Sequence, residues 1–170
     1  YLLNKLKNST YAIWIDPQIS IQGMKNRSNT RKFLFRPDLC IFDKNYKKII
    51  AIFEVKMDLG FCRNTFIEYI EHRNEELLKI NNKKGDCKKL LPDISISFED
   101  NLFWNYIVIS NKNINEKKYK EIENYFKINN NVGKLFNIVS NEHPNSKEEN
   151  IVLIPNNEDF EKLDKYLESL

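Results

Sequence analysis

Two short apolar runs, Leu39 to Phe42 and Ile49 to Val55, flank the polar stretch Asp43-Lys44-Asn45-Tyr46, and no other pattern constrains the fold as strongly. Runs of this length, rich in Ile, Val and Phe and separated by turn-forming residues, predict a β-hairpin. Its loop should hold about three to five residues. Pro37-Asp38 then opens one strand and Glu54-Val55-Lys56 closes the next. Alternation along a strand puts Glu54 and Lys56 on one face. Counting back from the turn sets Asp38 opposite either Phe53 or Glu54, and only the second register brings it to that face. Glu54 and Lys56 end a strand that is apolar on both faces, where unpaired charge is costly.

Those residue types suit one chemistry. Magnesium prefers hard oxygen ligands and commonly takes only one or two carboxylates, leaving its other positions to water and phosphate oxygens. Asp38 and Glu54 would supply the carboxylates, with the Val55 carbonyl as a further oxygen. A cation held there eases deprotonation of water for attack at phosphorus. Lys56 would orient that nucleophile or offset charge developing in the transition state.

The segment Pro37-Asp38 followed by Glu54-Val55-Lys56 resembles the signature of the PD-(D/E)xK nuclease superfamily, the restriction-endonuclease-like fold. The resemblance implies an α/β domain over residues 1–170: a central mixed β-sheet flanked by helices, here with a C-terminal β-α extension. It implies a magnesium-dependent endonuclease (manganese substituting) that hydrolyses phosphodiester bonds in DNA, as restriction or defence enzymes do. Asp38 and Glu54 would be metal ligands and Lys56 the catalytic lysine. Many members of the family act as dimers, which makes a homodimer an expectation. The alternative is a nuclease-like module that binds nucleic acid or another partner without catalysis. Backbone charge is common to DNA and RNA, so the sequence leaves both open.

Two departures bear on the site. Many members carry another acid on a helix before the first strand. Here Tyr1 to Lys7 reads as the tail of such a helix, and Asp16 is the only acid before Asp38. Asp16 precedes Pro17 and reads first as a strand-end residue. The Gln and Tyr that some exonuclease-like relatives carry on the following helix are not matched, because no Gln occurs between Met57 and Leu91.

Charge is distributed unevenly. The net charge of +3 is small. Yet from Pro17 to Pro37 there is no acidic residue, while Lys25, Arg27, Arg31, Lys32 and Arg36 all occur. This predicts a flexible cationic loop bordering the site and contacting phosphates, the interaction that supplies most sequence-independent affinity for nucleic acid. Lys83 to Lys89 is a second basic cluster, read as an exposed loop. Glu142 to Leu170 is net acidic and unsuited to a phosphate backbone.

The remaining pattern predicts a strand over Thr10–Ile15 and an amphipathic helix from about Arg63 to Ile80, broken by Asn81 to Asp86. Strands follow over Phe103–Ser110, Leu135–Ser140 and Ile151–Ile154, with helices over Asn115–Lys127 and Glu158–Leu167. Trp14 and Trp104 fall in strands and read as core. Arg63 and Arg73 on the first helix divide evenly between facing substrate and ordinary surface roles. His72 with Glu76 reads as a solvated helix face, and His143 lies in a polar loop. No apolar run is long enough to span a membrane. Cys40, Cys62 and Cys87, odd in number and without metal-type spacing, read as reduced thiols of a cytoplasmic protein.

Overall fold

The computed structural model describes residues 6, 10–26, 28–59, 65–112, 114–129, 131–140 and 152–170. In chain order the elements are β1 (Tyr11–Ile15), β2 (Ile19–Lys25), β3 (Lys32–Phe35), β4 (Leu39–Asp43), β5 (Lys48–Lys56) and α1 (Phe66–Ile80). There follow β6 (Gly85–Asp86), β7 (Ser95–Phe98), β8 (Trp104–Ser110), α2 (Glu116–Ile128), β9 (Leu135–Val139) and α3 (Asn157–Glu168). The result is a mixed sheet with helices, the α/β class that the sequence predicts. Apart from Leu6, the expected N-terminal helix remnant lies outside the described residues.

β5 organises the sheet. It pairs antiparallel with β4, which pairs antiparallel with β1. The C-terminal half of β5 pairs in parallel with β8, and β8 in parallel with β9. Its first two residues pair instead with β7, which carries β6, β2 and β3 beyond it. Period-two alternation separates two cores. Cys40, Phe42, Ile52, Trp104, Tyr106 and Val108 face α1 and α2, packing with Phe66, Ile70, Leu77, Tyr119 and Ile122. Ile41, Ala51, Phe53, Ile107 and Phe136 face the other way, onto Leu163 and Leu167 of α3. α1 buries Phe66, Ile70, Leu77 and Ile80, a spacing that keeps one stripe on the sheet. α2 begins at Asn115, whose side chain accepts the Lys118 N–H at 2.9 Å.

Two expectations are corrected. The segment between Pro17 and Pro37 is a twisted β-hairpin, β2 with β3, instead of a long loop. Ile19 and Ile21 alternate with polar residues and are buried, as is Phe35, so this arm is anchored in the core. At the C-terminal end, Ile151 lies outside the described residues, and Val152 to Ile154 form no strand. Among the described residues a single bridge, Val139 to Pro155, joins that segment to β9. With Val152 78% exposed, the run lacks the burial that would make a strand worth its entropy.

Candidate metal-carboxylate site

The register of the β4–β5 hairpin changes once along its length. Next to the turn, Asp43 pairs with Lys48 and Phe42 with Ile49. After an irregularity that leaves Ile50 without a partner, Ile41 pairs with Ala51, Cys40 with Ile52 and Leu39 with Phe53. Extending the turn-side register would put Asp38 opposite Phe53; extending the register after the bulge puts it opposite Glu54. The bulge therefore decides between the two alternatives that counting from the turn left open. It gives Asp38 the parity of Cys40 and Glu54 the parity of Ile52, both of which face α1.

Asp38 Oδ2 accepts the backbone N–H of Val55 at 2.7 Å, which fixes one carboxylate at the end of β5. Among the described residues Oδ1 has no hydrogen bond. Glu54 is buried and saturated with donors. Its Oε1 accepts from Lys56 Nζ at 2.5 Å and from Tyr69 Oη at 2.9 Å, and its Oε2 accepts from Arg73 Nη2 at 3.2 Å. Burial pushes the Glu54 carboxyl up, but the Lys56 ammonium, the Tyr69 hydroxyl and the Arg73 guanidinium outweigh it and hold the group below the usual carboxylate range.

Arg73 is held independently of Glu54. Its guanidinium lies 3.8 Å from the centre of the Trp104 ring, and Nη1 donates to Glu76 at 3.1 Å. Its carbonyl accepts the Trp104 Nε1–H at 3.1 Å. Tyr106, opposite Glu54 on β8, is wholly buried, and its hydroxyl has no partner among the described residues; neither does Arg73 Nε. Burial pushes the Tyr106 hydroxyl up.

The structure thus brings together Asp38, Glu54, Val55 and Lys56, and adds Tyr69 and Arg73 from α1. Arg73 was one of two candidates on that helix; the other, Arg63, lies outside the described residues, as do Cys62 and His143. Tyr69 escaped the sequence reading. The available signal was its spacing: Tyr69 and Arg73 are one helical turn apart and flank the buried Ile70. Asp16 comes close through its backbone, whose N–H donates to the Asp38 carbonyl at 2.8 Å. Asp16 adopts φ 44°, a left-handed conformation that Asp tolerates better than most residues.

The cationic residues are arranged differently from the expectation. Lys25, Arg31, Lys32 and Arg36 are all exposed, and Arg27 lies outside the described residues. Lys25 pairs with Lys32, and Arg31 accepts the Asn26 N–H, so three cations sit together at the hairpin tip. Of the described cations in this segment, only Arg36 lies next to Asp38 in the chain, two positions before it. Lys25, Arg31 and Lys32 lie at the far end of β2 and β3 from it.

On ligand type and number the site fits magnesium, which needs no more than two protein carboxylates. No three His, Cys, Asp or Glu side chains gather into a metal-holding group among the described residues. Glu54 would ligate a cation only by exchanging one of its present donors, Arg73 at Oε2 or Lys56 and Tyr69 at Oε1. Among the described residues, no helix is long and apolar enough to cross a membrane, and Cys40 and Cys87 are buried free thiols. Comparison with protein-family models, with curated proteins and with solved structures finds no match to the chain.

Proposed function

We propose that the protein is a metal-dependent nuclease that hydrolyses phosphodiester bonds in DNA. The observation that carries this reading is the convergence at one sheet end of Asp38, Glu54 and Lys56, with the Asp38 carboxylate tied to the Val55 N–H. Asp38 and Glu54, with the Val55 carbonyl, would hold magnesium or manganese, which supplies charge neutralisation at phosphorus and eases deprotonation of the attacking water. The Val55 N–H orients Asp38, while Tyr69 and Arg73 orient Glu54 by holding one oxygen each. Among the described cations at the site, Lys56 has the compact ammonium on a flexible stem and the greater exposure, 31% of its side chain. It can leave Glu54 and turn to a phosphate oxygen or the nucleophile. The proposed setting is cytoplasmic, where Cys40 and Cys87 stay reduced.

A second reading has its own support. Glu54 is fully satisfied without a cation, as in a nuclease-like module that binds nucleic acid and no longer cuts it. Nicking of supercoiled plasmid with magnesium or manganese separates the two. Metal-dependent nicking by the wild type that disappears in both Glu54→Ala and Lys56→Ala is the expected result. A folded wild-type protein that nicks neither DNA nor RNA refutes the nuclease reading and leaves the binding module.

A further inference from the structure

The second basic cluster, remote in sequence from the first, is divided by β6. Gly85 and Asp86 pair antiparallel with Ile21 and Ser20 of β2. The next residue along β2, Gln22, donates its N–H to the Lys84 carbonyl at 2.9 Å. Lys83 and Lys84 therefore lie beside β2 on the side that leads to its tip. On the other side of β2, Lys32 pairs with Lys25. The edge of this sheet thus carries Lys83, Lys84, Lys25, Arg31 and Lys32 across three neighbouring strands, and all five are exposed. Lys88 and Lys89 leave β6 in the opposite direction.

Clustering without a neutralising partner marks this edge. Five lysines elsewhere meet acids: Lys48 with Glu99, Lys56 with Glu54, Lys118 with Glu121, Lys120 with Glu116, Lys162 with Glu158 and Asp159. None of the five edge cations forms an ion pair with a described residue. The acid of β6, Asp86, falls at its far end, beside Ser20 and Ser95. The Asp86 carboxylate is engaged by Gln22 Nε2 at 3.0 Å. Five like charges held on or next to paired strands repel one another, and a polyanion relieves that repulsion.

We infer that this edge, Lys83 and Lys84 together with the β2–β3 tip, is a phosphate-backbone track for duplex nucleic acid, extending the interface well beyond the carboxylates. The inference rests on the nucleic-acid half of the proposed function. Geometry sets its reach. Lys32 and Asp38 are six positions apart, at most about 20 Å of extended chain. With one phosphate per about 3.4 Å along a strand, that spans roughly six nucleotides. The track therefore grips the duplex about half a helical turn from the bond at Asp38.

The test measures binding of a 20-base-pair duplex by the full chain in EDTA, as a function of salt, for wild type and three charge-matched variants. These are Lys83→Ala/Lys84→Ala, Arg31→Ala/Lys32→Ala and Lys88→Ala/Lys89→Ala. Each lost phosphate contact should reduce the slope of log K against log salt by about 0.9. The expected result is a slope reduced by nearly 2 in each of the first two variants and unchanged in the third. Equal reductions in all three would reflect bulk charge and overturn the track. So would an unchanged slope for Lys83→Ala/Lys84→Ala, or wild-type protein that binds phosphatidylserine vesicles and not the duplex. Plasmid nicking is scored separately. Nicking with unaltered slopes overturns the track alone, whereas altered slopes without nicking overturn the nuclease reading alone.

Discussion

Replacing Arg73 with alanine should be among the most costly single changes at the surface of this protein. The side chain makes a charge-assisted bond to buried Glu54, and such bonds contribute about 1.5–3 kcal/mol. Stacking on Trp104 at 3.8 Å adds about 0.5–2 kcal/mol. The pair with Glu76 is partly solvated and adds at most about 1 kcal/mol. These contributions are not additive, and the variant also removes the partnerless Nε, so a net loss of about 3 kcal/mol is the working figure. For a domain of this size that lowers Tm by about 6–12 °C. Urea denaturation at neutral pH without metal measures it, with Glu54→Gln and the double variant completing a cycle. The cycle should show clear coupling between the two positions. The penalty should also depend on pH. Glu54 titrates lower in the fold than in the unfolded chain, where its pKa is about 4.3. Its stabilisation is therefore full above that value and fades as pH falls through the folded pKa. The gap between wild type and Arg73→Ala should narrow in acid. A loss below about 1 kcal/mol, or no coupling with Glu54, refutes the picture of Arg73 as the fixed counter-ion of this carboxylate.

Tyr69→Phe deletes the 2.9 Å bond to Glu54, so it should cost about 1–2 kcal/mol and move the Glu54 pKa up toward the ordinary carboxylate range, read from carboxyl NMR titration. Asn105→Ala should cost about 2–4 kcal/mol, because its Nδ2 serves Ile52 O and Tyr166 Oη while its Oδ1 accepts the Lys134 N–H. Accelerated hydrogen exchange at Lys134 would accompany it, and an unchanged rate would refute the role. Gly133→Ala and Gly23→Ala make a contrasting pair under thermal melting. A Cβ at 133 would lie 2.1 Å from the Trp104 carbonyl oxygen, a backbone clash expected to cost more than about 3 kcal/mol. At 23 it meets open space, and only the φ of +73° penalises it, by about 1 kcal/mol.

The elements that were legible in the sequence are those whose burial is continuous. β4, β5 and β8 carry Ile, Val and Phe on both faces and could be read within a residue or two. β2 was missed although Ile19-Ser20-Ile21-Gln22 alternates, because the polar tip and Gly23 suggest flexibility when taken alone. β6 is two residues long and β7 four, too short for periodicity to register. At the site, the identities of Asp38, Glu54 and Lys56 could be read, and their register could not. A bulge leaves no compositional mark, since Ile50 is as apolar as its neighbours. Tyr69 and Arg73 are tertiary partners, supplied by a helix whose docking angle no local pattern encodes.

The spare residue in β5 separates chain length from register in the β4–β5 hairpin. Residues added or removed within the Asp43–Lys47 turn are taken up at the hairpin's end, and the strand pairing beyond Ile50 can survive them. Removing Ile50 itself would merge the two ladders into one. Asp38 would stay opposite Glu54, because Ile41 already pairs with Ala51 and the deletion only closes the gap. Keeping Ile50 but drawing it into the ladder opposite Ile41 would instead set Asp38 against Phe53 and turn it toward α3, away from Lys56. Descendants of this chain can therefore vary in length at the turn or at the bulge, and they lose the carboxylate pair only where the spare residue is kept and paired.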